Sequence, residues 1–308
     1  MKTKRRTLED LPDNITTRLN ALSLFTSTGF AQLWQEIGSV PVFWTVEQDD
    51  NILAVMPGLE GGRSFWRRFQ AMPDGLYSRI WFAPDSDIDR RDILKNLMKS
   101  LCSAGYMKLY INDYYRYFEA PPGYNQLACQ TSLVAISAKD WQPPDKKIQS
   151  EIRKAEREGV TVADFAIERD FDKFIVLMRQ TEHRHGRVPK YPPRFFEALA
   201  RLAHEDKRIR WVGVERNGET AASHIYFIDN EMVLNWQIYF NKKFSSLKPN
   251  QYILYTIARQ LAAQGVQFLN LGATPSDAAG LETYKDKWGG EIYRYPCYFS
   301  KSFPGKLF

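Results

Sequence analysis

The stretch SLCSAGYMKLYI at 100–111 falls over QLAAQGVQFLNL at 260–271 at a single offset of 160 residues. Leu101 meets Leu261, Gly105 meets Gly265, and the apolar alternation that follows the glycine repeats. Upstream of the first copy, DIDRRDILKNLMKSLCSAG (87–105) opens on aspartate and carries Ile93, Leu94, Leu97, Met98 and Leu101 at helical spacing. It stops at Gly105, the pattern of a capped amphipathic helix. PNQYILYTIARQLAAQG (249–265) reads the same way, and the strands MKLYIND and VQFLNLG follow the two helices.

Working outward, each helix is preceded by strands. PVFWTVEQDDNILAVMPG (41–58) has two apolar runs about a Gln-Asp-Asp-Asn turn, which predicts a β-hairpin, and YSRIWFAP (77–84) is a third strand candidate. Residues 208–240 read as three strands joined at Asn217-Gly218 and Asp229-Asn230. The repeated order of strands, helix and strand predicts an α/β (α+β) protein of two tandem domains, each a mixed, mostly antiparallel sheet flanked by helices. Pro143-Pro144 punctuates the chain, so the expected division is 1–143 and 144–308, with the last residues packing back on the first domain.

At 308 residues the chain exceeds one usual core, in agreement with two domains, and 44% apolar content with 25% charge excludes a disordered or fibrous protein. No apolar run approaches the roughly 20 residues of a spanning helix. MKTKRRTLEDLPDN has no apolar segment after its basic run and does not read as a secretory signal, so a cytoplasmic location is expected. Cys102, Cys129 and Cys297 are odd in number and far apart, and they read as buried thiols rather than a disulfide framework or a zinc site. The net charge of +6 favours an anionic partner such as a phosphorylated donor, tRNA, a nucleotide-linked sugar or an anionic membrane surface.

Phosphate-loop, dinucleotide, serine-hydrolase and zincin motifs are all absent. Chemistry without a metal, a bound cofactor or a covalent nucleophile rests on positioning two substrates and stabilising transition-state charge. Four stretches offer groups for that work. KKIQSEIRKAEREGV (146–160) is a charged helix in which Arg153 and Arg157 share a face, either solvated or an anion-binding ridge. RQTEHRHGRVPKYPPRFF (179–196) offers His183 or His185 as a base for an amine, or is a polar loop between helices. His224, alternating along a strand, reads as a structural histidine. SSLKPNQYILY (245–255) sets Lys248 and Asn250 at a helix start, as anion contacts or as a plain cap with a solvent lysine.

The fourth stretch is GLETYKDKWGG (280–290). Ser276 or Asp277 can cap a helix in which Leu281, Tyr284 and Trp288 form an apolar stripe. At 100° per residue Lys285 lies about 70° from the stripe's centre, at the edge of the buried face. Glu282, three residues before it, offers a surface salt bridge as the alternative. Lys287, about 90° away on the other flank, reads as solvent-facing.

Together these stretches resemble the FemAB-like branch of the GNAT superfamily, which includes peptidoglycan-bridge aminoacyltransferases and BioF2-type acyltransferase domains. The resemblance spans roughly residues 20–300 and is strongest from 145 onward. It implies acyl or aminoacyl transfer from an activated carrier to an amine, by direct attack. In the bridge-forming members an aromatic–lysine pair followed by an aromatic and glycines lies at the reaction centre, and Tyr284, Lys285, Trp288 and Gly289 match those positions. The resemblance therefore makes Lys285 the oxyanion-stabilising residue and Tyr284 its aromatic neighbour, where phenylalanine is more usual. Arg184, His185, Lys248 and Asn250 are expected, with Trp288 and Gly289, to hold donor or acceptor. No tightly bound cofactor is expected. The donor is acyl-CoA or aminoacyl-tRNA and the acceptor an amine, such as that of a nucleotide-linked cell-wall precursor. The Q/R-x-x-G-x-G/A loop with which ordinary GNAT enzymes hold the CoA pyrophosphate is absent, LKPNQ standing in its place, and the helical hairpin linked to tRNA contact has no counterpart. A catalytically inactive GNAT-like pair serving as a binding module is the reading of a different class.

Overall fold

The computed structural model describes residues 1–63, 66–73, 75–77, 79–274 and 279–300, which fall into two compact units. The chain begins with β1 (Lys2–Arg6), α1 (Asp13–Leu22), α2 (Thr28–Leu33) and the hairpin β2 (Val40–Gln48) and β3 (Asn51–Gly61). Asp49 and Asp50 both take positive φ, 51° and 63°, as a tight two-residue hairpin turn demands. β4 (Arg68–Gln70), β5 (Trp81–Phe82), α3 (Arg90–Ser103) and β6 (Lys108–Asn112) complete the first run of elements. Within the strand expected at 77–84, β5 covers Trp81 and Phe82, which pair with Val55 and Ala54 of β3, and the Ala83 N–H donates to Leu53 O at 2.8 Å.

The alternation of β2 decides which helix covers which face. Val42, Trp44 and Val46 pack with Ile93, Leu97 and Leu101 of α3, whereas Phe43 packs with Ile15 and Leu19 of α1 on the other side. The basic start of the chain is an edge strand paired along β2. Arg5 forms a bidentate pair with Glu60 at 2.7 and 2.8 Å, and Arg6 and Lys4 reach Glu47 at 2.6 and 2.5 Å. Both carboxyls are held below their usual pKa because these hydrogen bonds outweigh the opposing effect of burial.

β7 (Tyr124–Ala135) leads into the second unit, which spans Thr131–Tyr293. There follow α4 (Lys146–Arg157), β8 (Ala163–Asp164), α5 (Ile167–Arg184), α6 (Pro193–Glu205), β9 (Ile209–Arg216), β10 (Glu219–Asp229), β11 (Met232–Phe240), α7 (Pro249–Ala262), β12 (Phe268–Ala273) and α8 (Ala279–Asp286). The strand order is β7-β12-β11-β10-β9-β8. Apart from the parallel pair β11–β12, neighbours are antiparallel. Ile148 and Ile152 of α4 and Ile253, Ile257 and Leu261 of α7 share one core with Val212, Val233 and Leu269. Phe174 of α5 and Phe196 of α6 instead meet Trp211 and Tyr239 edge-on.

β13 (Glu291–Ser300) then returns to the first unit, which it joins from Arg294. The first sheet thus runs β1-β2-β3-β4-β6-β13, with β5 on β3 and with β4 and β6 parallel. The repeat read at 100–111 and 260–271 is α3–β6 and α7–β12, each strand parallel to a neighbour and each then bordered by an antiparallel strand, Cys297 opposite Asn112 and Val134 opposite Leu269. The units divide at residues 130 and 131, earlier than Pro143-Pro144, because the prolines already lie in the second unit, where Pro144 packs against Gly289.

The cysteine reading is corrected by this return. Cys129 and Cys297 are joined in a disulfide, Cα atoms 6.1 Å apart across 168 residues of sequence. A pairing set by which strand comes back to which sheet leaves no local spacing signal. Cys102 alone is a free thiol, and burial raises its pKa.

Candidate active site

β12 ends in a distortion that builds a cage of acceptors. Successive carbonyls of a regular strand alternate in direction, but the register shifts between Asn270 and Ala273, and Gly272 sits at φ 77°. Asn270, itself buried, fixes the bend by accepting from the Gly272 N–H at 2.8 Å and from the Thr131 hydroxyl. The Gly272 and Ala273 carbonyls therefore converge on one point, and Lys285 Nζ occupies it, at 2.6 and 2.9 Å, with Thr274 Oγ1 at 2.8 Å. The three donors of an ammonium meet three neutral acceptors.

Lys285 is 2% exposed and makes no ion pair among the described residues. Burial without a neutralising carboxylate lowers its pKa to about 8, so at pH 7 the ammonium still prevails by about ten to one. The salt bridge offered by Glu282 is not formed.

The helix face differs from the expected stripe. Leu281 is 40% exposed, while Lys285 and Trp288 are buried and Tyr284 is half-buried. The acceptors at the end of β12 draw the lysine inward, and Trp288 lies roughly parallel to Trp141, ring centroids 6.4 Å apart. The caps suggested at Ser276 and Asp277 lie outside the described residues. Gly289, at φ 79°, ends α8 in the left-handed conformation, its N–H donating to Asp286 O at 2.9 Å. A Cβ on Gly290 would stand 3.0 Å from the Lys285 carbonyl. Both glycines of the motif therefore have a backbone reason.

A second group of residues gathers around the start of α7. Lys248, at φ 55°, is the residue before the first turn, and its Nζ pairs with Glu151 of α4 at 2.9 Å, so it is not a solvent lysine. Asn250 does not cap the helix. Its Oδ1 lies 3.0 Å from His224 Nε2, and His224 Nδ1 lies 2.9 Å from the Tyr226 hydroxyl. Burial lowers the His224 pKa to about 4, which leaves the ring neutral. With Asn250 Oδ1 as acceptor, the proton belongs on Nε2, and Nδ1 accepts from Tyr226. His224 is buried, as its position on the strand suggests, and both ring nitrogens have partners.

Tyr284 connects with both partners of that group. Burial pushes its phenol up to about 12, the Trp288 indole N–H opposing and the Glu151 carboxylate adding to the rise. The Tyr226 hydroxyl is raised well above its ordinary value by burial, with Tyr284 adding to it. Tyr284 thus lies within electrostatic reach of both Glu151 and Tyr226, which in turn hold Lys248 and, through His224, Asn250. Sequence reading gave no role to Glu151, Tyr226 or the acceptors Gly272, Ala273 and Thr274. The one local signal is the glycine at the end of an otherwise regular strand.

Arg184 and His185 stand apart from this group. α5 runs through Arg184, whose Nη1 donates to Phe240 O at 2.9 Å, at the end of β11. His183 and His185 are exposed, and the backbone N–H of His185 closes the helix onto Glu182 O. No contact among the described residues joins either imidazole to Lys285. Among those residues there is also no cluster of metal-binding side chains and no helix long and apolar enough to cross a membrane.

Residues 145–286 match the model of the acetyltransferase (GNAT) domain family. The segment runs from the Asp145 cap of α4 to the residue after Lys285. No curated protein matches the chain in sequence. Among solved structures, FemX superposes with a TM-score of 0.68 at 14% identity over 97% of each chain. The C-terminal domain of a putative lysylphosphatidylglycerol synthetase from Agrobacterium fabrum gives a TM-score of 0.62 at 12% identity, over 94% of this chain and 92% of that one. A tandem GNAT protein from the clavulanic acid biosynthesis pathway gives 0.55 at 10% identity over 99% of each. At such identities the likeness is one of fold, and it extends along the whole chain. Residues 145–286 thus match the acetyltransferase (GNAT) domain family, and the chain shares its fold along its length with FemX and with a tandem GNAT protein.

Proposed function

We propose that this protein is an N-acyltransferase or aminoacyltransferase, moving an acyl or aminoacyl group from an activated carrier to an amine with Lys285 at the reaction centre. The observation that carries the reading is a buried ammonium held by neutral acceptors alone, so that its charge stays available to an anion. The acceptor amine attacks the carbonyl carbon of the donor, the new C–N bond forms, and the carbonyl oxygen takes the negative charge. Lys285 stabilises that oxyanion, exchanging the Thr274 hydroxyl for it, because this is the one acceptor of the three that rotates freely. Collapse expels the thiolate or alkoxide of the carrier, and the amine proton leaves with it or with solvent. Tyr284 shapes the wall beside the lysine, with Trp288 and Gly289 behind it. Lys248 and Asn250 position donor or acceptor at the start of α7, and Arg184 with His185 forms the outer rim.

One preorganised donor aimed at an oxyanion contributes about 2.7–4 kcal/mol. Lys285→Ala should therefore cut kcat about 100- to 1000-fold while the fold persists; near-normal turnover would sink the assignment. Native mass spectrometry of the purified chain against acyl-CoA, acyl-carrier-protein and aminoacyl-tRNA donors identifies the carrier. The names of the FemX and lysylphosphatidylglycerol synthetase neighbours support an acceptor in the cell envelope, either a nucleotide-linked precursor or a lipid.

Aminoacyl-tRNA as donor has one observation of its own. Lys146, Lys147, Arg153 and Arg157 of α4 are all exposed and make no ion pair among the described residues. Binding of tRNA through that ridge should weaken steeply with salt, and an affinity flat from low to moderate salt counts against it. A chain that binds no donor at all and gains no thermal stability from a nonhydrolysable analogue is instead a GNAT-like binding module.

A further inference from the structure

In the second unit a cavity of about 260 Å³ opens between the end of β7, the start of β13 and the turn after α8, and all its lining residues fall within Thr131–Tyr293. Four aromatic rings line it, Trp141, Phe268, Trp288 and Tyr293, together with the exposed Ile292. Glu291 is its single charged side chain, exposed and without an ion pair among the described residues. In a chain of net charge +6, a lining with one carboxylate and no cation discriminates against anions. The chain's own cations leave these rings uncovered. Among the described residues no guanidinium or ammonium lies over Trp141, Phe268 or Trp288, whereas Trp81 and Phe82 of the first unit carry Arg18 and Arg90 at 5.4 and 5.0 Å. The C-terminal end of α8, where the Gly289 N–H donates to Asp286 O, borders the cavity and is the negative pole of that helix. Ring faces, helix pole and carboxylate therefore all favour a positive charge.

We propose that this cavity binds an alkylammonium group of the size of a lysine side chain, carried by a substrate of the transfer and distinct from the amine that reacts. The two must differ, because an amine held as a cation has no lone pair with which to attack. The aromatic walls attract the ammonium through the ring quadrupole and cover its alkyl stem, while Glu291 takes its N–H donors. The volume falls just short of the roughly 300–1,000 Å³ of sites that enclose a whole drug-sized ligand, and it suits a single side chain. The proposal rests on the transferase reading for the ligand's role, since Trp288 and Gly289 serve both sites, and not for its chemistry.

Nuclear magnetic resonance of the full chain, isotope-labelled at tryptophan and titrated at constant ionic strength with n-butylammonium or with its neutral counterpart n-butanol, tests it. The indole N–H signal that disappears in Trp141→Phe should shift saturably with n-butylammonium, and n-butanol should bind about 3-fold more weakly or worse. Glu291→Gln should weaken n-butylammonium about 3-fold and leave n-butanol unchanged, as expected of an exposed charge pair. Trp141→Leu should weaken both probes. Lys285→Ala should bind n-butylammonium as the wild type does; if it does so and also turns over normally, the transferase assignment fails and the ammonium site stands. No saturable shift, equal affinity of the wild type for the two probes, or indifference to Glu291→Gln and Trp141→Leu would each overturn the proposal and leave the role of Lys285 untouched.

Discussion

Lys285 should make the stability of the second unit depend on pH in a direction opposite to that of most buried ion pairs. Its folded pKa is about 8 and its ordinary value 10.5, lowered by burial. Between those values the unfolded chain holds a proton that the folded chain has released, so the free energy of unfolding rises with pH across that window. At about 1.36 kcal/mol for each pH unit, the full rise is about 3 kcal/mol, complete only near pH 10.5. Below pH 8 the folded state bears the whole cost of a buried ammonium, and above it that cost fades. Urea unfolding of the wild type and of Lys285→Met, each at pH 7 and at pH 10, isolates the effect, because tyrosines and surface groups cancel in the difference. The wild type should gain about 2–3 kcal/mol on the variant between those two pH values. If the two stabilities stay parallel, the lysine is not held as a desolvated cation, and the charge assigned to the reaction centre fails with it.

The same titration fixes the pH dependence of turnover: a cationic Lys285 predicts a falling limb near pH 8 in kcat, whereas a rate that climbs to pH 9.5 would make the neutral amine the active form. Cys129→Ser should cost about 2–4 kcal/mol in the first unit, measured by denaturant unfolding with and without reductant, and no change on reduction of the wild type would deny the disulfide. Asn250→Ala strands the buried His224 Nε2–H and should destabilise the chain by about 1–3 kcal/mol, seen as a lower urea midpoint at unchanged m-value.

What could be read from the sequence was local. The hairpin of β2 and β3 announces itself by two apolar runs about the polar Gln-Asp-Asp-Asn stretch, and α3–β6 and α7–β12 announce themselves twice. Helical periodicity also singled out Lys285 as the charge nearest the buried face of α8. It misplaced Leu281, because periodicity lets apolar residues choose the face. Here a bend in β12, some 12 residues upstream, supplies polar partners strong enough to turn the lysine inward. The basic run Lys2–Arg6 lacked meaning alone, since its partners Glu47 and Glu60 lie some 40 to 55 residues on, across a strand pairing that no local pattern encodes. The strand position of His224 reads as a buried histidine, and it is buried, but the partner that fixes its tautomer, Asn250, sits at the start of a helix 26 residues away.

The late return of β13 has a consequence for the order of synthesis. Residues up to Gln130 hold every other strand of the first sheet, yet the part of β13 that lies opposite β6 belongs to the segment from Arg294 on. At about 5–20 residues per second, a ribosome needs roughly 10–30 s to make the intervening chain. Through that interval the edge of β6 stays without its native neighbour and Cys129 without its partner. The nascent first unit is therefore a waiting intermediate with an open sheet edge, and whatever shields that edge from another chain helps to set the yield of native protein.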